Sequence, residues 1–174
     1  MYSVQLEGGL EIRCAACGFP LDFEPTKPSQ ETDPIMIADD DRFFRTLLAD
    51  LLGELGFSNL TLCESGQELL TLATEQFRKG LLIRFAILDI VMAPLDGIAT
   101  ALSLRAVEKG FQVRPTPVLF LSAVRSDDTL RRLIARCQPA LYLNKGTDSR
   151  PEQLGSRLEK VIGYLLYQGQ GGGR

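Results

Sequence analysis

The sequence contains no histidine and only four cysteines. Only Cys14 and Cys17 are close in the chain, and in a reducing compartment no disulfide framework is implied. Cys63 and Cys137 fall in apolar segments and read as buried thiols, as small core residues often are. A basic stripe is also missing: the net charge is -3 and the pI about 5.1, which argues against a nucleic-acid groove. No apolar run approaches the roughly 20 residues that cross a bilayer. The N-terminus lacks a basic region followed by an apolar one, so no secretory signal is visible. The expectation is a cytoplasmic protein with no membrane and no direct nucleic-acid contact.

What is present is an ordinary folding composition, 45% apolar and 24% charged, enough for one domain plus a short appendage. The appendage is residues 1–24. Val4 and Leu6 alternate, Gly8-Gly9 supply a turn, and Leu10 and Ile12 alternate again, which is a hairpin pattern. Cys14 and Cys17 follow it. Residues 25–33, with two prolines among polar residues, read as a linker. Residues 168–174 are rich in glycine and read as a flexible tail.

Between them, residues 34–167 alternate strand-like and helix-like segments. Strands are expected at Ile35–Ala38, Asn59–Cys63, Ile83–Leu88, Val118–Leu121 and Leu141–Leu143. Helices are expected at Arg42–Leu55, Ser65–Lys79, Gly97–Glu108, Asp128–Cys137 and Pro151–Tyr167. Gly56, Gly80 and Gly110 stand at helix ends, Ser65 and Glu68 have capping-box spacing, and Asp41 and Asp127 are placed to cap. Such alternation calls for an α/β fold, a doubly wound five-stranded parallel sheet. The third and fourth strands read as continuous apolar runs, as strands covered on both faces should.

The polar groups cluster at one kind of position. Asp39 and Asp40 follow the first strand, Asp89 the third, Ser122 the fourth and Lys145 the fifth. In open α/β sheets ligands bind outside the carboxyl ends of the strands. Carboxylates there attract a divalent cation, and Mg2+ favours oxygen ligands with a few carboxylates and retained waters. Asp40, Asp89 and a main-chain carbonyl would serve, with Asp39 acting through a water. Lys145 can meet a phosphoryl oxygen as a point charge, and Ser122 can donate to another. Positioning and charge neutralisation are most of what phosphoryl transfer requires.

This ordered set resembles the receiver domain of the response regulators of two-component signalling. Ala38-Asp39-Asp40 is similar to the family's acidic pair, and Asp89 through Gly97 to its phosphoacceptor strand end and loop. Leu121-Ser122-Ala123 is similar to the hydroxyl position, and Tyr142-Leu143-Asn144-Lys145 to the aromatic switch and lysine. The resemblance implies a flavodoxin-like strand order 2-1-3-4-5. It implies that Asp89 takes a phosphoryl group from a phosphohistidine on a histidine kinase or histidine phosphotransfer protein. Asp39, Asp40, Asp89 and the carbonyl of Val91 would form the Mg2+ site, and Ser122 and Lys145 would contact the phosphoryl group. Ser122 and Tyr142 would switch a partner-binding surface on the fourth helix, fifth strand and fifth helix. Such a domain is a signalling module, not an enzyme acting on other substrates. Two positions depart from the family pattern: Ala93 stands where proline is usual, with Pro94 one residue later, and Gly146 replaces the proline after the lysine. Apolar Val91 and Val124 at positions that tune hydrolytic water imply slow self-dephosphorylation.

Two other functions fit parts of the pattern. Asp39-Asp40-Asp41 has the Asp-x-Asp spacing of haloacid-dehalogenase phosphatases, in which Asp39 would be the nucleophile. A scaffold that keeps the fold without phosphorylation is the other. Taken singly, Asp39 and Asp40 could be helix-start residues, Asp96-Gly97 a turn, and Lys145 a solvated lysine. Cys14 and Cys17 resemble one knuckle of a zinc ribbon. A structural Zn2+ needs four ligands, so with no histidine and no second pair two chains would have to share it, forming a homodimer. Otherwise the pair is redox-active or inert.

Overall fold

The computed structural model describes residues 2–6, 9–13, 33–123, 125–146 and 151–170. Cys14, Cys17, Val124 and most of the linker lie outside these residues. Strands β1 (Tyr2–Leu6) and β2 (Gly9–Arg13) pair antiparallel, with Val4 opposite Glu11 and Leu6 opposite Gly9. The hairpin is where the alternating apolar residues put it.

The remaining strands are β3 (Ile35–Ala38), β4 (Leu60–Cys63), β5 (Phe85–Leu88), β6 (Val118–Ser122) and β7 (Ala140–Asn144). They form one parallel sheet in the order β4-β3-β5-β6-β7. Counted within this sheet the order is 2-1-3-4-5, the flavodoxin-like arrangement. The connecting helices are α1 (Arg42–Glu54), α2 (Gly66–Arg78), α3 (Gly97–Phe111), α4 (Asp128–Ala135) and α5 (Pro151–Gln170). Two cores follow from the period-2 alternation of the strands. Ile35, Ile37, Phe85, Ile87, Leu119 and Leu121 face one side and pack with Leu48, Leu52, Leu158 and Leu165 of α1 and α5. Met36, Ala38, Ala86, Leu88, Val118 and Phe120 face the other and pack with Leu69, Leu104 and Ile134 of α2, α3 and α4. The central strands β3, β5 and β6 are buried throughout, because helices cover both faces.

Caps are local chemistry. Asp41 accepts from the N–H groups of Phe43 and Phe44, Asp96 from Ala99, and Asp127 from Leu130. Ser65 accepts from the Glu68 N–H, while the Glu68 carboxylate reaches one residue further back, to the Glu64 N–H. Three helix ends differ from expectation by two residues or more. α3 does not close at Gly110 but runs to Phe111, and Gln112 takes the left-handed conformation at φ 56°. The Gln112 N–H reaches Lys109 O at 3.2 Å and the Val113 N–H reaches Glu108 O at 3.1 Å, hydrogen bonds that satisfy the terminal carbonyls. α4 stops at Ala135, two residues early. α5 continues to Gln170, so residues 168–170 belong to the helix rather than to a tail.

One buried ionic network holds the edge of the sheet opposite the polar cluster. Glu108 of α3 accepts from Arg105 at 2.6 Å and from the Thr116 N–H at 2.7 Å. Arg105 in turn donates to the carbonyls of Thr116 and Cys137. The network ties α3 to the segment entering β6 and to the end of α4. Removing one member strands a buried charge. We expect Glu108→Ala to lower unfolding free energy by about 2–4 kcal/mol. Urea denaturation checks this, and a loss below about 1 kcal/mol would show that water replaces the carboxylate.

Candidate functional site

The sheet order reverses between β3 and β5. After β3 the chain crosses outward to β4, and after β4 it returns to the other side of β3 as β5. The crevice at their carboxyl ends is the topological switch point where ligands bind in open sheets. Asp39 and Asp89 are the first residues beyond those two strands. In-register pairing sets them side by side: Ala38 is opposite Leu88, and the Asp89 N–H donates to Ala38 O at 2.9 Å.

Asp39 and Asp89 are buried and Asp40 is exposed. One carboxylate oxygen from each lies within 4.8 Å of the others. That is close to twice the Mg–O distance of about 2.1 Å, so small side-chain adjustments would bring all three around one hard cation. The buried pair already holds a positive charge. Lys145, just beyond β7, donates from Nζ to Asp39 Oδ2 at 2.7 Å and to Asp89 Oδ2 at 2.9 Å. The second oxygens are met by the main chain: Asp39 Oδ1 accepts from the Asp41 N–H at 3.0 Å, and Asp89 Oδ1 from the Val91 N–H at 3.3 Å. Burial raises the Asp39 carboxyl above its ordinary pKa. The Lys145 hydrogen bond and charge and the Asp41 N–H oppose this, and the charge of Asp89 adds to it.

Ser122 is the last residue of β6 and is buried beside this cluster's lysine loop: its carbonyl accepts from the Lys145 N–H at 2.8 Å. The same carbonyl accepts from Tyr142 Oη at 3.4 Å, so the tyrosine ring is turned inward in this structure. Asn144 extends the chain of contacts, donating from Nδ2 to Tyr142 Oη at 3.0 Å and accepting from the Gly146 N–H at 2.7 Å. The cis peptide bonds among the described residues are Ala93–Pro94 and Gln138–Pro139. The Lys145–Gly146 bond is therefore trans, and Gly146 instead has φ 80°.

Asp39, Asp40, Asp89 and Lys145, each named from sequence, thus converge on one crevice. Ser122 reaches its edge. Val91 is exposed in the loop after Asp89. Asp96 caps α3, and Gly97 beside it has a packing role: a Cβ there would collide with the Asp89 carbonyl.

Two residues escaped the sequence reading. Arg45 of α1 is buried, donating to Asp39 O at 2.6 Å and to Glu64 at 2.9 Å. It grips the main chain that carries the acidic cluster. The signal was available: Arg45 lies on the stripe with Leu48 and Leu52, at i+3 and i+7, where an apolar residue belongs. Phe44 reads as a core residue by spacing, yet its ring centroid is 4.0 Å from Lys145 Nζ. Cys63 and Cys137 are buried as expected, and burial first, then the Glu68 charge, pushes the Cys63 thiol up to about 12.

An acidic triad that could hold a divalent cation, with a lysine bridging two of its members, stands at the switch point of a flavodoxin-like sheet. Residues 35–158 match the response regulator receiver domain family. The chain belongs to that family. It is 29% identical over 111 residues to the histidine kinase CKI1 of Arabidopsis thaliana, a stretch covering 57% of this chain and 10% of that protein. The match thus spans about a tenth of the kinase's length. The crystal structure of the CKI1 receiver domain complexed with Mg2+ and BeF3- superposes with a TM-score of 0.62 at 25% identity, covering 74% of this chain and 89% of that one. The chemotaxis protein CheY4 of Vibrio cholerae shares the fold, with a TM-score of 0.58 at 20% identity over 75% of this chain and 99% of that one. No helix among the described residues is long and apolar enough to cross a membrane.

The closeness of α3 to the site gives a test. Gly97→Ala must push the Asp89 main chain aside, and we expect a loss of about 1–3 kcal/mol in stability. A urea midpoint equal to that of the unaltered protein would mean that the loop yields without strain.

Proposed function

We propose that Asp89 accepts a phosphoryl group from the phosphohistidine of a histidine kinase or histidine phosphotransfer protein. The observation that carries this is the Lys145 ammonium bridging two carboxylates of unequal access. The Asp39 side chain is 2% exposed and that of Asp89 11%. A nucleophile must reach the phosphorus of an incoming group, which favours Asp89 over Asp39 and the receiver chemistry over that of a phosphatase built on Asp39. The likeness to the receiver domain of a named histidine kinase supports a phosphohistidine donor.

In this reading an Asp89 carboxylate oxygen attacks phosphorus as the P–N bond of the phosphohistidine breaks. The bonding pair stays on the imidazole nitrogen, which takes up a proton, and Asp89 becomes an acyl phosphate. Lys145, 2.9 Å from the attacking carboxylate, moves from a carboxylate oxygen to a phosphoryl oxygen. The Ser122 hydroxyl donates to another. Asp39, Asp40, Asp89 and the Val91 carbonyl are the ligands proposed for Mg2+, which when bound neutralises charge between the carboxylate and the phosphoryl oxygens. Arg45 keeps the Asp39 main chain in place meanwhile. Reversal to the resting state is hydrolysis: water attacks phosphorus, inorganic phosphate leaves and the Asp89 carboxylate returns. Exposed, apolar Val91 offers that water no hydrogen bond, which favours a slow step. In this reading the domain catalyses its own phosphorylation and dephosphorylation.

Readout passes through Ser122 and Tyr142. Engaging the Ser122 hydroxyl disturbs the carbonyl that Tyr142 Oη now contacts. Tyr142 also walls a cleft of about 150 Å³ between α4 and β7, with Ile134 and Ala140. A change there alters the α4–β7–α5 face offered to a downstream protein, a two-state element biased by phosphate contacts.

Incubation with acetyl phosphate and Mg2+, read by intact mass, tests the site. One phosphoryl group should add, should require Mg2+, and should vanish in Asp89→Asn. Lys145→Ala should slow labelling at least about tenfold. Label retained in Asp89→Asn but lost in Asp39→Asn would move the nucleophile to Asp39. No label from any donor would leave a scaffold.

A further inference from the structure

Lys145 is held by more than its two carboxylates. Phe44, in the first turn of α1, sets its ring 4.0 Å from the ammonium. Phe44 is half-buried and packs on the core shared by α1 and α5, so the ring is anchored from behind. The lysine's main chain is fixed, its N–H donating to the Ser122 carbonyl at 2.8 Å. Its side chain is a flexible four-carbon stem. The next residue is Gly146 at φ 80°, which puts no side chain beside it.

We propose that Phe44 is a positioning residue for Lys145: its ring face holds the ammonium over the Asp39–Asp89 pair and keeps it there while the polar partners change. The inference rests on Asp89 as phosphoacceptor and Lys145 as phosphoryl contact. In that reading the ammonium trades a carboxylate oxygen for a phosphoryl oxygen. Of the two hydrogen bonds seen here, 2.7 and 2.9 Å, at least one is therefore a contact that changes. The ring contact needs neither oxygen and can persist through the exchange. An aromatic face attracts a cation through its quadrupole, most strongly when water is excluded. The Lys145 side chain is only 14% exposed, which meets that condition. A leucine would fill similar space without the attraction.

The alternative is that Phe44 only packs. Phe44→Leu keeps an apolar side chain and Phe44→Tyr keeps the ring, so the two separate packing from cation holding; Phe44→Met is the substitute should the leucine variant fold poorly. The first readout is the NMR position of the Lys145 ε-methylene protons in the metal-free protein. Ring current should move them upfield in the unaltered protein and in Phe44→Tyr, and not in Phe44→Leu. The second is labelling by acetyl phosphate with Mg2+, in which the bond from phosphorus to the acetate oxygen breaks, acetate leaves and the Asp89–phosphorus bond forms. We expect Phe44→Leu to lower the maximal labelling rate about fivefold to thirtyfold, and Phe44→Tyr to stay within about twofold.

Lysine resonances that do not respond to Phe44→Leu would overturn the contact itself. Resonances that respond, with labelling as fast as in the unaltered protein, would overturn its role in transfer. Equal loss in the leucine and tyrosine variants would reduce Phe44 to packing. A normal ring-current shift in an unaltered protein that takes no label would instead mark failure of the phosphoacceptor reading, and the positioning role would fall with it.

Discussion

Two buried carboxylates side by side repel each other and lose the water that would screen them. The Lys145 ammonium between Asp39 and Asp89 is what makes their proximity tolerable. Burying an ion pair costs desolvation that only close geometry and further hydrogen bonds offset. Here the Asp41 and Val91 N–H groups supply those further bonds. Much of the upper edge of the sheet is arranged around this one cation. β7 ends where it must to deliver Lys145, the Ser122 carbonyl fixes the lysine's main chain, and α1 brings Phe44 to its other side. An arrangement that balances charge with one lysine also responds to a new charge, because a phosphoryl group or a divalent cation changes the partners available to it.

The supporting structure sits one layer back. Arg45 is charged and buried on a helix face that otherwise carries leucines. Its hydrogen bonds go to the Asp39 carbonyl and to Glu64, which follows the edge strand β4. Glu64 in turn gives its N–H to Glu68 at the start of α2. A continuous set of polar contacts therefore runs from the start of α2 to the main chain of the acidic cluster. On the other flank, Gly97 lets α3 approach the Asp89 carbonyl more closely than any side chain would permit. The acidic loop is thus pinned from both sides, while Asp40 and Val91 stay open to solvent.

Most of the architecture was legible in the order of residues. Apolar runs of strand length alternate with amphipathic stretches, and Asp41, Ser65 and Asp127 mark helix starts by the same hydrogen bonds they make in the structure. Helix ends were read less well. Gly110 looked like a stop, but Gln112 adopts the left-handed conformation because its own N–H and that of Val113 satisfy the last carbonyls of α3. The glycines at 169 and beyond suggested a loose tail, yet α5 continues through Gly169 to Gln170. Propensity is a weak prior for where a helix stops.

The sequence alone determined the α/β class, the strand-terminal placement of Asp39, Asp40, Asp89, Ser122 and Lys145, and the family they imply, since these depend on periodicity and local order. Only the tertiary structure decided which oxygens share the lysine, that Asp39 is more deeply enclosed than Asp89, and that Arg45, Phe44 and Asn144 join the site. Those facts arise between segments up to 106 residues apart. Their physical reason is the reversal of strand order, which makes neighbours of β3 and β5 and leaves helices to bring charge and aromatic faces from either side.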